Sequence, residues 1–112
     1  MSETTLKIKL FIYIDMVKHI VCFKLKGSSE VRREVAERFK HALLELPSII
    51  DVLQSMEVGI NENPAESWNL VLTAIVPTMA DVEVYAKHPA HVAAAGLVKP
   101  QIEARACVDY NF

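Results

Sequence analysis

This chain carries no excess of positive charge: twelve Lys and Arg stand against fourteen Asp and Glu over 112 residues, for a net charge of −2. Both signs are spread along the chain, so there is no electrostatic footprint for nucleic acid or for an anionic membrane, and neither partner is expected. Cysteine is scarce as well. Cys22 and Cys107 lie in separate expected strands with no CxxC spacing, which reads as buried thiols in a reducing, cytoplasmic setting unless the two strands run side by side and allow a bridge. Long apolar runs are missing too. The nearest approach is Leu6 to Ile14, but Lys7 and Lys9 interrupt it, no small-residue cleavage site follows, and it is too short to span a bilayer. Its alternation of Leu6, Ile8, Leu10, Ile12 and Ile14 with the residues between them has the period of a strand. Residues 1–15 are therefore expected to form an N-terminal extension with an added edge strand, ahead of a domain over 16–112. No repeat, low-complexity tract or linker divides that domain, and its length suits one core.

What the chain does have is apolar side chains: 52% of residues are hydrophobic and 23% charged. That excludes a disordered chain and leaves more apolar surface than one small sheet-and-helix unit hides, which points to a partner surface. In Val17 to Lys26, residues Val17, His19, Val21, Phe23 and Leu25 share one face, and Ile20 and Cys22 occupy the middle of the other. A strand apolar on both faces belongs in the centre of a sheet. Gly27-Ser28-Ser29 supplies a turn and an N-cap, and Val31, Val35, Phe39, Ala42, Leu43 and Leu46 follow at helical spacing until Pro47. Asp51 to Ile60 and Trp68 to Val76 then read as a hairpin around the turn residues Asn61-Glu62-Asn63-Pro64. Thr78 and Asp81 begin a second helix in the manner of a capping box. Lys99-Pro100 ends the helical region, a short turn is expected through Ile102 and Glu103, and Ala104 to Tyr110 reads as the last strand.

The chemistry of the chain gathers at Tyr85-Ala86-Lys87-His88-Pro89-Ala90-His91. Pro89 drives the residue before it out of the α region, so the helix carrying Tyr85 stops near His88, while Pro89 itself suits the first turn of a new helix running to Gly96. In one unbroken helix Tyr85 and His91 would sit some 120° from a common face, at ~100° per residue. The break lets them meet. His19 projects from the central strand on an apolar face, and its ordinary role there would be that of a core histidine with a satisfied ring. A metal site at His88 and His91 is not expected, because three residues across a proline break is no zinc spacing and no third ligand lies close in the chain.

The order strand, helix, strand, strand, helix, strand is the split βαβ, ferredoxin-like arrangement: an α+β protomer with a four-stranded antiparallel sheet and its helices on one face. The other face would be bare and apolar, so the economical solution is a homodimer packed sheet to sheet as a dimeric α/β barrel. Val17-Lys18-His19-Ile20-Val21, Phe23-Lys24-Leu25-Lys26, the Phe39 to Leu46 helix, Tyr85 with His88-Pro89-Ala90-His91, Lys99-Pro100 and Val108-Asp109-Tyr110 together resemble the stress-responsive dimeric A/B barrel (Dabb) family. The resemblance runs over roughly Met16 to Tyr110.

That resemblance implies a cleft between sheet and helices, and most members of the family have no established activity. A plant member that folds a linear polyketide by aldol chemistry implies catalytic roles for His91 and Tyr85 and a pocket position for His19. A further pocket histidine of that member falls near Leu70, which is not a histidine here. Two readings follow. In one, the protein is a homodimeric stress-associated or small-ligand-binding protein without turnover, His91 being bonded inward to fix the corner. In the other it is a cyclase-like or lyase-like enzyme without a cofactor, in which His91 moves a proton beside a carbonyl and Tyr85 hydrogen-bonds the developing oxyanion. The expected ligand-contacting set is His19, His88, Trp68 and Phe23.

Overall fold

The computed structural model describes residues 15–112. The expected added strand at Leu6 to Ile14 lies outside the described residues. From Val17 the chain runs through β1 (Val17–Leu25), α1 (Ser29–Leu44), β2 (Ser55–Ile60), β3 (Leu70–Val76), α2 (Met79–Lys87), α3 (Pro89–Gly96) and β4 (Ile102–Asn111), with single 3-10 turns at Leu46–Ser48 and Lys99–Gln101. The four strands form one antiparallel sheet in the order β2-β3-β1-β4. This is the ferredoxin-like protomer.

β1 lies between β3 and β4, as a strand apolar on both faces requires. Val17, Val21, Phe23 and Leu25 are buried beneath the helices beside Leu70, Leu72, Ala74 and Val76 of β3. Against them α1 lays Val35, Ala36, Phe39 and Leu43 at 3-4 spacing, and the ring of Phe39 meets Phe23 edge-on at 5.4 Å. The turn into α1 depends on Gly27, whose φ of 100° belongs to the left-handed region and where a Cβ would meet Val31 Cγ1 at 3.0 Å. Ser28 then caps the helix by accepting a hydrogen bond from the Val31 N–H.

Three boundaries differ from the sequence reading. β2 begins at Ser55 rather than Asp51, because its first partner is Ile75 and β3 ends one residue later, so the preceding residues overrun the sheet. β3 begins at Leu70 rather than Trp68. Its last pairing is with Ile60, and Asn69 is diverted to β1, where its side-chain oxygen accepts from the Leu25 N–H at 2.7 Å and its own N–H donates to the Phe23 carbonyl. Ile102 and Glu103, expected in a turn, are strand: Leu25 pairs with Ile102 across a bulge that takes up Glu103. The two cysteines do sit on neighbouring strands, yet Cys22 pairs with Ala106 and Cys107 with Val21. That one-residue offset turns the thiols to opposite faces of the sheet, and both are free.

The second helical stretch breaks where proline requires. Thr78 and Asp81 form a reciprocal capping box at its start, and His88 ends α2 in an extended conformation (φ −61°, ψ 135°) that also serves as the N-cap of α3. Loss of the cap in Thr78→Ala is expected to lower stability by about 1 kcal/mol in urea titration, with the slope of the transition unchanged.

Candidate functional site

The Pro89 break leaves two backbone groups in need of partners. The Ala90 N–H would bond the Ala86 carbonyl in a continuous helix, but it is taken by His88 Nδ1 at 3.0 Å. The Ala86 carbonyl is met instead by His91 Nδ1 at 2.9 Å. A carbonyl can only accept, so His91 Nδ1 carries the proton and the neutral ring keeps its lone pair on Nε2. His91 is thereby fixed at the corner with a basic nitrogen to spare.

Between the helices and the sheet lies a cleft of about 690 Å³ lined by His19, Val21, Phe23, Phe39, Leu72, His91, Arg105, Cys107 and Asp109 among others. Tyr85 is not part of this lining: it is buried, only 1% exposed, beside His19 and His91, which are. The Tyr85 ring lies 4.5 Å from the His91 ring and 5.8 Å from the His19 ring, centroid to centroid. The phenol is thus flanked by two imidazoles drawn from β1 and α3. Its hydroxyl is buried with no hydrogen-bond partner among the described residues, and burial raises the Tyr85 pKa well above that of a free phenol, with Arg105 opposing weakly. The group is a neutral donor at every physiological pH.

His19 is held by Asp109. Their strands pair residue for residue, and Nδ1 of His19 lies 2.5 Å from Oδ1 of Asp109. A carboxylate accepting from Nδ1 orients the ring and sets its tautomer. Cys107 Sγ is 3.5 Å from the same nitrogen and 3.7 Å from Asp109 Oδ2. Burial, and then the charge of Asp109, raise the Cys107 pKa, so it stays a thiol. Ligand atoms of His19, Cys107 and Asp109 lie within 4.8 Å of one another, a constellation that could hold a cation. The sulfur distances suit a tetrahedral ion, but the nitrogen and oxygen are in hydrogen-bond contact, well inside the ~3.3 Å that two zinc ligands keep.

Of the residues expected from the sequence, His91, His19 and Phe23 line this cleft, and Tyr85 is buried behind it between the two histidine rings. His88 does not line it, since its Nδ1 caps α3. Trp68 is elsewhere, on the open sheet face beside Cys22 and Val71, with Lys24 Nζ 4.9 Å from its ring centre. Sequence reasoning missed Asp109, Cys107 and Arg105 as neighbours of the histidines. The alternation of β4 puts all three on one face, but only the register against β1 reveals which face.

A ferredoxin-like protomer with a histidine-lined cleft between sheet and helices is the class that fold and site define. The chain belongs to the stress responsive A/B barrel (Dabb) domain family, whose model matches residues 17–112. It is similar, at 45% identity and a TM-score of 0.85, to a dimeric protein of unknown function and ferredoxin-like fold from Bacteroides fragilis, covering 89% of this chain and 99% of that one. A Dabb family protein from Mesorhizobium loti aligns at 25% identity and a TM-score of 0.67, covering 85% and 94% of the two chains. The hydroxynitrile lyase of Passiflora edulis shares the fold, with 17% identity, a TM-score of 0.72, and 88% and 94% coverage. No curated protein matches the sequence. No helix among the described residues is long and apolar enough to cross a membrane.

Burial lowers the pKa of His91 below that of a free imidazole, with His19 and Arg105 adding to the depression and the Ala86 carbonyl opposing it. The unfolded chain then binds the proton more readily than the folded one. Stability is full above about pH 6.5 and falls as pH drops from there toward the lower folded-state value. Denaturant titrations between pH 7.5 and 5 (roughly the range set by the imidazole pKa) are expected to show this loss. His91→Gln, which has no proton to bind, should show a smaller one.

Proposed function

We propose that this protein is a homodimer whose cleft takes up a small carbonyl compound and moves a proton on it without a cofactor, in the manner of a cyclase or lyase. The observation that carries this reading is a buried Tyr85 phenol set between two imidazoles that themselves line a cleft, with its hydroxyl unpartnered among the described residues. His91 Nε2 is the base. It takes a proton from the carbon next to the carbonyl, while the Tyr85 hydroxyl donates to the oxygen as negative charge gathers there, and the proton returns from Nε2 to carbon or to a leaving group. His19, held by Asp109, lines the pocket and positions the carbonyl. A protein of similar fold, at 17% identity, is named a hydroxynitrile lyase, which is in keeping with a lyase reading.

The homodimer follows from the outer sheet face. Ile20, Val71 and Ile75 are only half-buried there, and Val108 and Tyr110 are 63% and 42% exposed on the edge strand. Two copies packed through this face would bury at least ~1,600 Å². The similar protein from Bacteroides fragilis is dimeric. Sedimentation is expected to give a dimer at micromolar concentration, and Val108→Asp is expected to shift it toward monomer; a stable folded monomer of the unaltered chain would defeat this part of the proposal.

A second reading has its own support. Tyr85 is almost fully enclosed and one nitrogen of His91 is spent on the Ala86 carbonyl, which suits a corner fastened for stability around a ligand site without turnover. Deuterium exchange at the methyl group of acetophenone in D2O separates the two. Enzymatic proton transfer should fall by about 100-fold in His91→Ala. Tyr85→Phe should also lose exchange while keeping its stability, because the lost hydroxyl has no protein partner among the described residues. Binding of ketones with no exchange above the solvent rate would favour the ligand-binding reading.

A further inference from the structure

The charged side chains around the cleft are not all paired among the described residues. Four charged side chains line it: Glu83, Lys99, Arg105 and Asp109. Both acids are already engaged, Glu83 by Lys87 one turn along α2 and Asp109 by His19. Neither cation makes an ion pair among the described residues. Arg105 pairs with Phe23 across the sheet, which sets it on the face toward the helices rather than the open one. Lys99 reaches the same cleft from the turn before β4. Below these two cations the lining is apolar, with Val21, Phe23, Phe39 and Leu72. The field of Arg105 also reaches the interior, since it bears on Tyr85 and His91.

We infer that the cleft is built for an anionic ligand, a carboxylate with an apolar body, whose head is held by Arg105 and Lys99 and whose body lies against Phe23 and Phe39. This deepens the proposed function by naming its substrate class, and it rests on that reading only for the reaction. A guanidinium presents a planar fork that matches a carboxylate, and an ammonium adds a second positive charge without demanding geometry. An apolar floor beneath a charged rim takes an aromatic or short aliphatic acid end-on, leaving the far end of the molecule toward Tyr85 and His91. An inward-facing arginine on an edge strand also discourages strand addition. That role does not account for Lys99, which is outside the strand.

Benzoate and benzamide, equal in shape and different in charge, test the inference without calling on any reaction. Each is titrated into the unaltered dimer at low salt and neutral pH, with the His19 and His91 ring signals followed by NMR. Benzoate is expected to bind at least about tenfold more tightly than benzamide, as one charge-assisted contact implies. The preference should weaken as salt is added and vanish in the double variant Arg105→Gln, Lys99→Gln, with benzamide affinity unchanged. Equal affinity for the two probes, no saturable benzoate binding at millimolar concentration, or a preference that survives in the double variant would overturn it. Failure here leaves acetophenone exchange as a separate measure of the proposed chemistry. Failure of that exchange leaves the benzoate preference standing.

Discussion

The arrangement of this molecule's polar centre depends on one missing hydrogen bond. Pro89 cannot donate, and its ring forces His88 into an extended conformation, so the ladder of a single long helix stops at Lys87. The two orphaned groups are then satisfied by two histidines: His88 takes the Ala90 N–H and His91 takes the Ala86 carbonyl. Each bond looks like simple repair. Yet the second fixes the tautomer of His91, and the bend brings its ring to 4.5 Å from that of Tyr85. Backbone satisfaction and placement of a base are the same event here.

A second constraint acts from the sheet. Strand register makes His19 and Asp109 direct neighbours although ninety residues separate them in the chain. The pair is partly buried, and a histidine in such a place costs stability unless its ring nitrogens find partners. Asp109 supplies one, and the adjacent Cys107 thiol fills the remaining space. The outcome is a polar cluster along one side of an otherwise apolar cleft, next to a tyrosine whose hydroxyl has no protein partner among the described residues. A buried, unbonded hydroxyl is costly in a structure selected for stability alone. Here that hydroxyl sits beside two imidazoles, and no described protein group answers it.

The same sheet separates two functions by face. Side chains that alternate along β1 and β4 send His19, Phe23, Arg105 and Asp109 toward the helices, and Ile20, Cys22, Val108 and Tyr110 toward the open side. One face makes the cleft, and the other is the apolar, part-exposed face proposed to meet a second copy. A one-residue slip would exchange these sets, turning His19 and Phe23 outward and Lys18 and Lys24 toward the helices, so register is strongly specified.

Much of this was legible in the chain itself, because it rests on local rules. Proline and the capping box at Thr78 and Asp81 mark the ends of the helices, the 3-4 spacing from Val31 to Leu46 marks the face of α1, and two-sided apolarity marks β1 as central. The meeting of Tyr85 with His91 could be foreseen from the Pro89 break, which removes the offset that an unbroken helix would keep between them. Strand ends were less legible: where β2, β3 and β4 begin is decided by where a partner strand stops, which no local pattern records. Trp68 misled for the same reason, since an aromatic beside a strand carries no mark of the face it will occupy. The His19–Asp109 pair, the thiol beside it, and an apolar cleft that also takes in Arg105 and Lys99, without an ion pair among the described residues, exist only in the folded chain. Composition counted those charges. Only tertiary packing decided which acids would be engaged by neighbours and which cations would be left facing a cleft.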